Sequence, residues 1–393
     1  MSATQNSNFI NGEWSNNGQA FDSINPSNIN DCLGSFSAAT SDDCNLAIQS
    51  AKNAFQKWSL SSLEERKKIL DFIGSELIAK SPELGEIIAK EEGKPLAEGI
   101  GEVYRSGQFF QYFGAEVLRQ MGEITSSVRA NINVEVTREP LGVIGVITPW
   151  NFPIAVAAWK IAPALAYGNC VVLKPSEIVP ASAVAFAKIM EKSGLPIGVF
   201  NCIQGPGTLA GQALSQSKDI DAISFTGSVK TGNAIAQDAI KNMTRVQLEM
   251  GSKNALVVLN DADMDTAIQC AINGAFFGTG QKCTASSRLI VEAGIHDQFI
   301  EKMIMATKAL KVGDALDKST QIGPVVDARQ FNQNKTYIDA AITAGAKMVA
   351  GDESMQLAND GFYMRPTLFI DTNNQMKINR DEVFGPIACV IKV

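Results

Sequence analysis

From residue 142 onward, short apolar runs alternate with longer segments rich in small and apolar residues. This alternation constrains the fold more than any other feature of the chain. The runs are GVIGVIT, NCVVLK, VFNCIQ and AISFTG, and the segments that follow them include IAVAAWKIAPALAYG, ASAVAFAKIMEKSG and VKTGNAIAQDAI. Continuously apolar strands separated by helices predict a parallel sheet that is covered on both faces. We therefore predict an α/β fold, with VQLEMG and NALVVL as further strands.

The residues before and after this region follow other patterns. Between residues 41 and 119, apolar residues recur at spacings of three and four, which predicts helices in AIQSAKNAFQKW, SLEERKKILDFIGSELI and EVYRSGQFFQYFGAEVL. ITSSVRANINVEVTREPLG alternates and is rich in β-branched residues, so it predicts a hairpin or an extended arm. After about residue 252 we expect a second unit with a helix over 264–275, the strand RLIVE, the helix DQFIEKMIMATKAL and further strands.

Composition excludes several classes of protein. The chain has 393 residues, 45% of them apolar and 19% charged, as expected for a soluble globular protein with room for two domains. Its net charge is −7 and it has no basic run, so we expect no nucleic-acid partner. The first residues lack the pattern of a secretory signal. Leu141–Leu173 carries only Lys160 as a charge, but Pro149, Pro153 and Pro163 predict a strand, a turn and a buried helix rather than a membrane span.

Cysteine and histidine content restricts the possible chemistry. The seven cysteines are odd in number and scattered, which argues against a disulfide framework and favours a reducing, cytoplasmic setting. No CxxC pair is present, and we expect no metal site. The single histidine, His296, lies in the polar run GIHDQF, which resembles a helix start. A Ser-His-Asp triad or a Cys-His pair is therefore not expected, and we expect a general base to be a carboxylate.

Two glycine-bearing turns and one charged turn lie where strands give way to helices. Gly205–Gly211 follows VFNCIQ, and Gly227–Gly232 follows AISFT. Free backbone N–H groups at a helix start can bind pyrophosphate. Neither turn matches G-x-G-x-x-G, so tight-turn chemistry remains an alternative. Lys174–Glu177, KPSE, ends a strand, where an acid can hold ribose hydroxyls; a surface loop is the alternative.

Three side chains are candidates for catalysis. Asn151 lies in Thr148–Pro153, TPWNFP, where flanking prolines could fix an oxyanion-stabilising amide; a rigid turn is the alternative. Glu249 lies between Leu248 and Met250, and apolar surroundings raise a carboxyl pKa toward neutrality, as a general base needs; a buried salt bridge is the alternative. Cys283 follows a flexible GTGQK loop whose lysine could lower a thiol pKa; a buried, inert cysteine is the alternative.

In these motifs the sequence resembles the NAD(P)-dependent aldehyde dehydrogenase superfamily. TPWNFP, KPSE, FTGS, VQLEMGSKN and GQKCTASSR occur in the family's order, and the match runs from FINGEW to EVFGP at 382–386. VTREPLGVIGVITPWNFPIAVAAWKIAPALAYGN and NGAFFGTGQKCTASSRLIVEAGIHDQF look most like bacterial 2-oxoglutarate semialdehyde (2,5-dioxopentanoate) dehydrogenases. The resemblance implies two Rossmann-like domains: a cofactor domain over 1–121 and 142–252, and a catalytic domain over 253–393. It implies an oligomerisation hairpin over 122–141.

The resemblance also implies a role for each catalytic side chain. The Cys283 thiolate would attack the aldehyde carbon, and the Asn151 side chain and the Cys283 backbone N–H would stabilise the oxyanion. Hydride would leave to the nicotinamide, and Glu249 would activate the water that hydrolyses the resulting thioester. A cysteine nucleophile with a carboxylate base needs no histidine, in agreement with the composition.

The cofactor and the substrate are implied in the same way. The residues expected to bind NAD or NADP are Thr148, Trp150, Lys174, Ser176, Glu177, Gly207, Gly211, Phe225, Thr226, Gly227, Ser228, Gly232, Met250, Gly251, Glu382 and Phe384. Glu177 would repel a 2′-phosphate, so NAD is favoured. Phe152 and Trp159 would line the aldehyde pocket, with ordinary helix core as the alternative.

Two departures from the family pattern accompany the resemblance. Ser252 stands where the family commonly has a second glycine, which adds a side chain close to the nicotinamide region. Family members also usually continue beyond the apolar run PIACVIKV, which looks like a core strand. The sequence therefore predicts a fragment whose assembly into the family's homodimer or homotetramer is impaired.

The substrate remains open at this point. The expected substrate is 2-oxoglutarate semialdehyde, giving 2-oxoglutarate, and succinate semialdehyde or a broad range of aldehydes are alternatives. Arg105 could pair with a substrate carboxylate or could be an exposed helix-face arginine. Two other readings are a thiol acyltransferase or hydrolase that uses no nicotinamide, and a truncated, inactive family member.

Overall fold

The computed structural model describes residues 7–119, 122–355 and 357–393, which form two compact units. Unit 1 consists of the described residues up to Ser23, Gly34–Leu84 and Ile100–Glu249, and unit 2 of Ile24–Leu33, Gly85–Gly99 and Met250–Val393. These units differ from the predicted domain bounds in two ways: 24–33, 85–99 and 250–252 belong to unit 2, and the predicted separate hairpin 122–141 belongs to unit 1. Which of them binds a cofactor stays a prediction.

The helices and strands are numbered in chain order. The helices are α1 (Ser41–Trp58), α2 (Leu63–Ala79), α3 (Ser81–Glu92), α4 (Leu96–Glu116), α5 (Ala155–Ala166), α6 (Pro180–Lys192), α7 (Gln212–Gln216), α8 (Val229–Ala239), α9 (Met264–Phe276), α10 (His296–Lys308) and α11 (Ala328–Thr343). The strands are β1 (Asn8–Ile10), β2 (Glu13–Ser15), β3 (Ala20–Ile24), β4 (Cys32–Ser37), β5 (Glu123–Ser126), β6 (Asn133–Val136), β7 (Val143–Ile147), β8 (Cys170–Lys174), β9 (Phe200–Cys202), β10 (Ala222–Gly227), β11 (Arg245–Met250), β12 (Ala255–Val258), β13 (Arg288–Val291), β14 (Lys347–Ala350), β15 (Thr367–Ile370) and β16 (Ile387–Lys392).

The main sheet of unit 1 has the strand order β11-β10-β7-β8-β9-β1-β2. β10, β7, β8 and β9 pair in parallel, while β1 runs antiparallel to β9 and to β2. Every residue of β7 and β8 is buried, as expected for central parallel strands covered on both faces. The predicted parallel sheet is confirmed.

The apolar stretch 141–173 folds as predicted. It forms β7, a turn through Pro149 and Pro153, the mostly buried helix α5 and the start of β8. Pro163 lies inside α5. Among the residues that the structure describes, no helix is long and apolar enough to cross a membrane.

Unit 2 contains a second sheet, in the order β12-β13-β16-β15-β14. β12, β13, β16 and β15 pair in parallel and β14 is antiparallel to β15. The run PIACVIKV contributes β16, which lies between β13 and β15 and is buried from Ile387 to Ile391. It is therefore the core strand that its composition predicts. His296 begins α10, as predicted.

The predicted hairpin is formed by β5 and β6, which pair antiparallel from Glu123–Val136 to Ser126–Asn133. All residues of both strands are exposed, including the apolar side chains of Ile124, Val134 and Val136. Helix α3 lies within the stretch 41–119 that is predicted to be helical, although its own segment is not singled out, and helix α11 was not predicted. The segment 328–343 is largely polar, and only Asn334 and Ala341 are buried in α11, so it has little apolar periodicity to detect.

The start of α1 provides a local test of this fold. Thr40 accepts a hydrogen bond from the Asp43 N–H, and the Asp43 side chain accepts one from the Thr40 N–H. Because this capping box satisfies two otherwise unpaired donors, we expect Thr40→Ala to lower the free energy of unfolding by about 1 kcal/mol, measured by urea denaturation. Thr40→Ser keeps the hydroxyl and should lose much less. Equal losses in both variants would contradict the role of the hydroxyl.

Candidate active site

In unit 1, two threonine hydroxyls lie at the carboxyl edge of the parallel strands. Ile147 of β7 pairs with Phe225 of β10, so the next residues, Thr148 and Thr226, are neighbours in the register. Both Oγ1 atoms are buried, and neither has a hydrogen-bond partner among the described residues. Buried polar groups are normally satisfied, and open α/β sheets bind ligands at this edge. The pair is therefore suited to receive hydrogen bonds from, or donate them to, a bound molecule.

The KPSE turn ends the adjacent strand β8 with a charged pair. Lys174 pairs with Ile147 in the register, is only 4% exposed, and its Nζ lies 2.9 Å from Oε2 of the exposed Glu177. The buried Ser176 hydroxyl accepts a hydrogen bond from the Ile178 N–H at 3.3 Å. The lysine is thus fixed at the strand end while the carboxylate faces solvent.

The first glycine turn contains glycines of two kinds. Gly205 has a φ of +119°, and a Cβ there would lie 3.0 Å from Ala38, so the fold itself requires glycine. A Cβ at Gly207 or Gly211 would meet no atom within 4 Å, and neither residue is left-handed. Tight-turn chemistry therefore explains Gly205 but not the other two. Gly207 is exposed, so its open backbone leaves room for a close-lying ligand, whereas Gly211 is buried.

The second glycine turn is required by packing and leads into a helix. A Cβ on Gly227 would lie 2.6 Å from the buried ring of Phe225. Ser228 is the N-cap of α8, where its hydroxyl accepts a hydrogen bond from the Thr231 N–H, and Gly232 is buried within that helix. The sequence placed this turn at a strand-to-helix junction, and the structure confirms that position.

Asn151 is held in a turn whose exit is capped by a residue that sequence reasoning missed. Asn151 is only 5% exposed, and Trp150 and Phe152 on either side are half-buried. Oε1 of the buried Glu102 accepts hydrogen bonds from the N–H groups of Ile154 and Ala155 at 3.0 and 3.1 Å, at the start of α5. An acid beside Val103 on the buried side of a predicted helix was the available signal, because a buried carboxylate needs partners.

Trp159 lies on the exposed side of α5 rather than in its core. Its side chain is 38% exposed, and its ring meets Phe109 edge to face at a centroid distance of 6.0 Å. The Arg105 guanidinium lies 5.4 Å from the centre of the same Phe109 ring. Arg105 is exposed and donates to Gln108 Oε1 at 3.0 Å. The helix-core reading of Trp159 is therefore wrong, and Arg105 is an exposed helix-face residue stacked beside it.

The surroundings predicted for Glu249 are wrong. Glu249 lies in β11, the edge strand of the unit 1 sheet, and its side chain is exposed rather than enclosed by apolar groups. Leu248 and Met250 are half-buried and alternate with it along the strand. Gln247 Nε2 donates to Glu249 Oε1 at 2.8 Å. Arg245, Gln247 and Glu249 are all exposed, so the face of β11 that carries Glu249 is open to solvent.

In unit 2, Cys283 is exposed, so the reading of a buried, inert thiol is wrong. Asn254 Nδ2 donates to the Cys283 carbonyl at 2.6 Å and fixes the backbone at the thiol. The seven cysteines all lie in the described part of the chain, and none forms a disulfide.

The loop before Cys283 is held firmly, which corrects the expectation that it is flexible. Residues 278–281 are buried. The Thr279 hydroxyl donates to the Gly323 carbonyl at 3.1 Å, and the Gln281 side chain accepts from the Val326 N–H at 3.0 Å and donates to Glu92 at 3.4 Å. Thr279 also has a left-handed φ of 55°. Contacts from distant parts of unit 2 therefore set the position of the thiol.

The Lys282 side chain contacts the C-terminal end of helix α9. Its Nζ donates to the Asn273 carbonyl in the last turn of α9 at 2.9 Å. Burial lowers the pKa of Lys282, and the Glu98 carboxylate opposes that shift. The same Glu98 accepts a hydrogen bond from the Gly278 N–H at 3.2 Å. The lysine thus interacts with groups that support the loop.

A second cluster in unit 2 joins the residues after β11 to Glu382. The Ser252 N–H donates to Glu382 Oε1 at 3.4 Å, and the Ser252 hydroxyl donates to Asn254 Oδ1 at 3.0 Å. A Cβ on Gly251 would overlap the Glu382 carboxylate. Burial raises the pKa of Glu382, although the Ser252 N–H and the Lys253 charge act against it. A side chain at position 251 would thus force the Glu382 carboxylate to move, and Ser252 is accommodated through Asn254.

Phe384 follows Glu382 in a strained backbone conformation, with a φ of +63°. Gln330 Nε2 donates to the carbonyls of Val383 and Phe384 at 3.0 and 3.1 Å. Met250, at the end of β11, is half-buried. Unit 2 therefore links Gly251, Ser252, Asn254, Cys283 and Glu382 through one set of contacts, and the roles predicted for these residues stay predictions.

Comparison with known proteins identifies the family. Residues 14–393 match the model of the aldehyde dehydrogenase family. The chain is 37% identical to an alpha-ketoglutaric semialdehyde dehydrogenase and 40% identical to a betaine aldehyde dehydrogenase, both from Bacillus subtilis. These alignments cover 98% and 97% of this chain and 80% and 79% of the relatives.

Solved structures agree with this assignment. A crystal structure of betaine aldehyde dehydrogenase from Staphylococcus aureus in complex with NAD+ superposes with a TM-score of 0.96 at 34% identity. The superposition covers 100% of this chain and 79% of that one. The predicted family and the predicted fold of two Rossmann-like α/β domains are confirmed.

Glu102 offers a test of how the Asn151 turn is held. Glu102→Ala removes the acceptor of two buried N–H groups, so we expect a loss of about 2 kcal/mol or more in the free energy of unfolding, measured by urea denaturation. Glu102→Gln keeps a carbonyl oxygen at the same reach and should lose less than half as much. A loss of the same size in both variants would show that the charge, and not the acceptor, matters.

Proposed function

This chain belongs to the aldehyde dehydrogenase family, and on that premise we propose that it oxidises a small aldehyde to a carboxylic acid with NAD+ through a thioester on Cys283. The observation that carries the proposal is the exposure of the Cys283 thiol on a loop held by buried hydrogen bonds. A nucleophile must be accessible, and its position must be fixed.

The proposed chemistry assigns one task to each side chain. The Cys283 thiolate forms a C–S bond to the aldehyde carbon, and the Asn151 amide and the Cys283 N–H donate hydrogen bonds to the oxyanion. NAD+ held at the carboxyl edge of the unit 1 sheet would supply the hydride acceptor for the oxidation, and the oxidised carbon would stay bound to Cys283 as a thioester. Glu249 takes a proton from water as the water oxygen attacks the thioester, and the C–S bond breaks to release the acid and the thiolate.

The residues of unit 1 fit a dinucleotide. The unpartnered hydroxyls of Thr148 and Thr226 and the open backbone at Gly207 support binding at this edge of the sheet. Lys174 and Glu177 would hold the ribose on the adenine side. The exposed Glu177 carboxylate would repel a 2′-phosphate, which favours NAD over NADP.

The remaining cofactor residues are assigned by the same resemblance. Those proposed to lie along the adenosine and pyrophosphate are Trp150, Ser176, Gly211, Phe225, Gly227, Ser228 and Gly232, and those proposed at the nicotinamide end are Met250, Gly251, Glu382 and Phe384. The contact between Gly251 and Glu382 supports a shared role, because a side chain at 251 would displace the carboxylate.

We propose 2-oxoglutarate semialdehyde as the substrate, with 2-oxoglutarate as the product. The name of one relative supports this proposal, and so does the position of Arg105. If Trp159 and Phe152 line the aldehyde pocket, the stack of Arg105 on Phe109 and Phe109 on Trp159 supports a cation beside that pocket. Betaine aldehyde, named for the second relative, carries the opposite charge and would gain nothing from a guanidinium.

Assembly and location are proposed on less specific grounds. The exposed apolar side chains of the β5–β6 hairpin support a homodimer or homotetramer built through residues 122–141. The absence of a disulfide among the seven cysteines supports a reducing compartment such as the cytoplasm. The cofactor domain is proposed to comprise 1–121 and 142–252, and the catalytic domain 253–393.

NADH production against an aldehyde panel tests the chemistry. Cys283→Ala should abolish NADH formation with every aldehyde, because the thiolate forms the adduct. Cys270→Ala, at another exposed cysteine of unit 2, should leave it unchanged. Glu249→Gln should retain one rapid turnover of NADH and lose steady-state turnover by about 100-fold or more, since only thioester hydrolysis needs the base. Turnover that persists in Cys283→Ala would refute the proposal.

Substrate charge is tested at Arg105. Arg105→Met should raise KM about tenfold for 2-oxoglutarate semialdehyde and succinate semialdehyde, because a charge-assisted contact to the carboxylate is lost. KM for betaine aldehyde should not rise. Arg105→Lys keeps the charge but loses the planar stack on Phe109. Its KM for the two acidic aldehydes should lie between those of the parent and of Arg105→Met. An unchanged KM for the two acidic aldehydes in Arg105→Met would leave Arg105 as a surface residue only.

A further inference from the structure

A row of hydrogen bonds in unit 1 runs from a buried lysine to the Glu249 carboxylate. Lys160 Nζ donates to Ser224 Oγ at 2.9 Å and to Gln247 Oε1 at 3.2 Å. The Ser224 hydroxyl donates to the same Gln247 Oε1 at 2.6 Å. Gln247 Nε2 then donates to Glu249 Oε1 at 2.8 Å. The four side chains come from α5, β10 and β11, so the tertiary structure, not local sequence, assembles the row.

The two ends of this row fix the direction of the Gln247 amide. An ammonium group can only donate hydrogen bonds, and an ionised carboxylate can only accept them. The carbonyl oxygen of Gln247 must therefore face Lys160, and its NH2 group must face Glu249. If the amide were reversed, its NH2 group would face the Lys160 ammonium and its carbonyl oxygen would face the Glu249 carboxylate. Both hydrogen bonds would then be lost. Gln247 thus has one favourable orientation, which the cation and the anion select together.

Burial makes the lysine end of the row rigid. Lys160 is 7% exposed, and burial lowers its pKa to about 8, with the Glu249 charge acting in the opposite direction. A buried ammonium is costly unless it is hydrogen-bonded, and Ser224 and Gln247 supply its acceptors. The amide that contacts Glu249 is consequently anchored in the interior of unit 1.

Glu249, by contrast, is exposed on an edge strand, and among the residues that the structure describes only Gln247 donates a hydrogen bond to its carboxylate. Gln247 and Glu249 are two residues apart in β11, so their side chains lie on the same face of the strand. A free glutamate side chain has several rotatable bonds and samples many positions. A base must be within hydrogen-bond reach of the water that it activates, so the residue that restrains it contributes to the rate.

We propose that Gln247 and Ser224 are positioning residues that hold the Glu249 carboxylate in place for hydrolysis of the Cys283 thioester. Gln247 contacts the carboxylate directly, and Ser224 orients Gln247. This inference rests on the proposed function, specifically on Glu249 as the base. It requires that loss of Gln247 slow thioester hydrolysis while formation of the thioester proceeds normally.

The two steps can be separated without NAD+ by using p-nitrophenyl acetate. The Cys283 thiolate displaces p-nitrophenolate to form an acetyl thioester, and water then releases acetate and regenerates the thiolate. The p-nitrophenolate burst measures acylation. Loss of the acetyl group from isolated protein, followed by intact-mass spectrometry, measures hydrolysis. Both rates are obtained for the full chain and its variants, whichever step limits turnover.

In Gln247→Met we expect acylation within about twofold of the parent and hydrolysis about tenfold slower, because an exposed contact to a charged group is lost. Gln247→Glu still accepts from Lys160 and Ser224 but cannot donate to Glu249, and should slow hydrolysis at least as much. If Gln247 had only a structural role, Gln247→Glu should slow hydrolysis less than Gln247→Met, because Gln and Glu have the same shape. Ser224→Ala should slow hydrolysis by a smaller factor.

Gln49→Met is the matched control. Gln49 Nε2 donates to the Asp219 carboxylate, also at 2.8 Å, on another part of unit 1. Its replacement removes a contact of the same kind and should leave both rates unchanged. Thermal unfolding of every variant checks that the fold is retained. Gln247→Met removes one of the two acceptors of the buried Lys160 ammonium, so it should unfold below the parent temperature, whereas Gln247→Glu keeps that acceptor.

The outcomes separate this inference from the proposed function. Unchanged hydrolysis in Gln247→Met, together with arrested hydrolysis in Glu249→Gln, would overturn the positioning role alone. Hydrolysis that is unaffected in Glu249→Gln would remove the base assignment and the inference with it. Equal slowing of acylation and hydrolysis in Gln247→Met would also overturn the inference, because restraint of Glu249 acts on hydrolysis only.

Discussion

Parallel pairing of β7 with β8 and β10 is the constraint on which the candidate site of unit 1 depends. The register sets Ile147 beside both Lys174 and Phe225, so three strands end at the same edge of the sheet. Each chain segment must leave the sheet there, after β7 at Thr148, after β8 at Pro175 and after β10 at Ser228. Motifs that are far apart in sequence therefore meet because of hydrogen-bond register, and the carboxyl edge acquires unpaired hydroxyls beside a fixed lysine.

Rigidity around the thiol arises differently, from buried polar contacts. The loop before Cys283 has the glycines of a mobile segment, yet its residues are buried and bonded to Glu92, Gly323 and Val326. A buried polar group that lost these partners would remain unsatisfied, which is costly, so the loop has few alternatives to its present path. An exposed nucleophile on a fixed backbone is the result, and it needs no regular secondary structure at the cysteine itself.

Two buried charged side chains fix the positions of several segments of unit 1. Glu102 and Lys160 are each buried, and each is satisfied by a specific set of partners: the first turn of α5 for the carboxylate, and Ser224 with Gln247 for the ammonium. The free-energy cost of burying an ion without hydrogen-bond partners is far larger than the stabilisation that a single helix or strand residue contributes. These two residues therefore fix the geometry of the segments that carry Asn151 and Glu249.

The sequence by itself determined the α/β class, most strands and helices, the hairpin and the family, because apolar periodicity and the order of motifs are local properties of the chain. It identified Glu249 as an acid among apolar neighbours and Cys283 as a thiol after glycines, but it misjudged both environments. Whether a strand lies at the centre or the edge of a sheet depends on strand order, and whether a loop is held depends on residues far away in the chain. Only the tertiary structure decided that Glu249 is exposed on an edge strand, that the Cys283 loop is anchored, and that Gln247 faces the carboxylate.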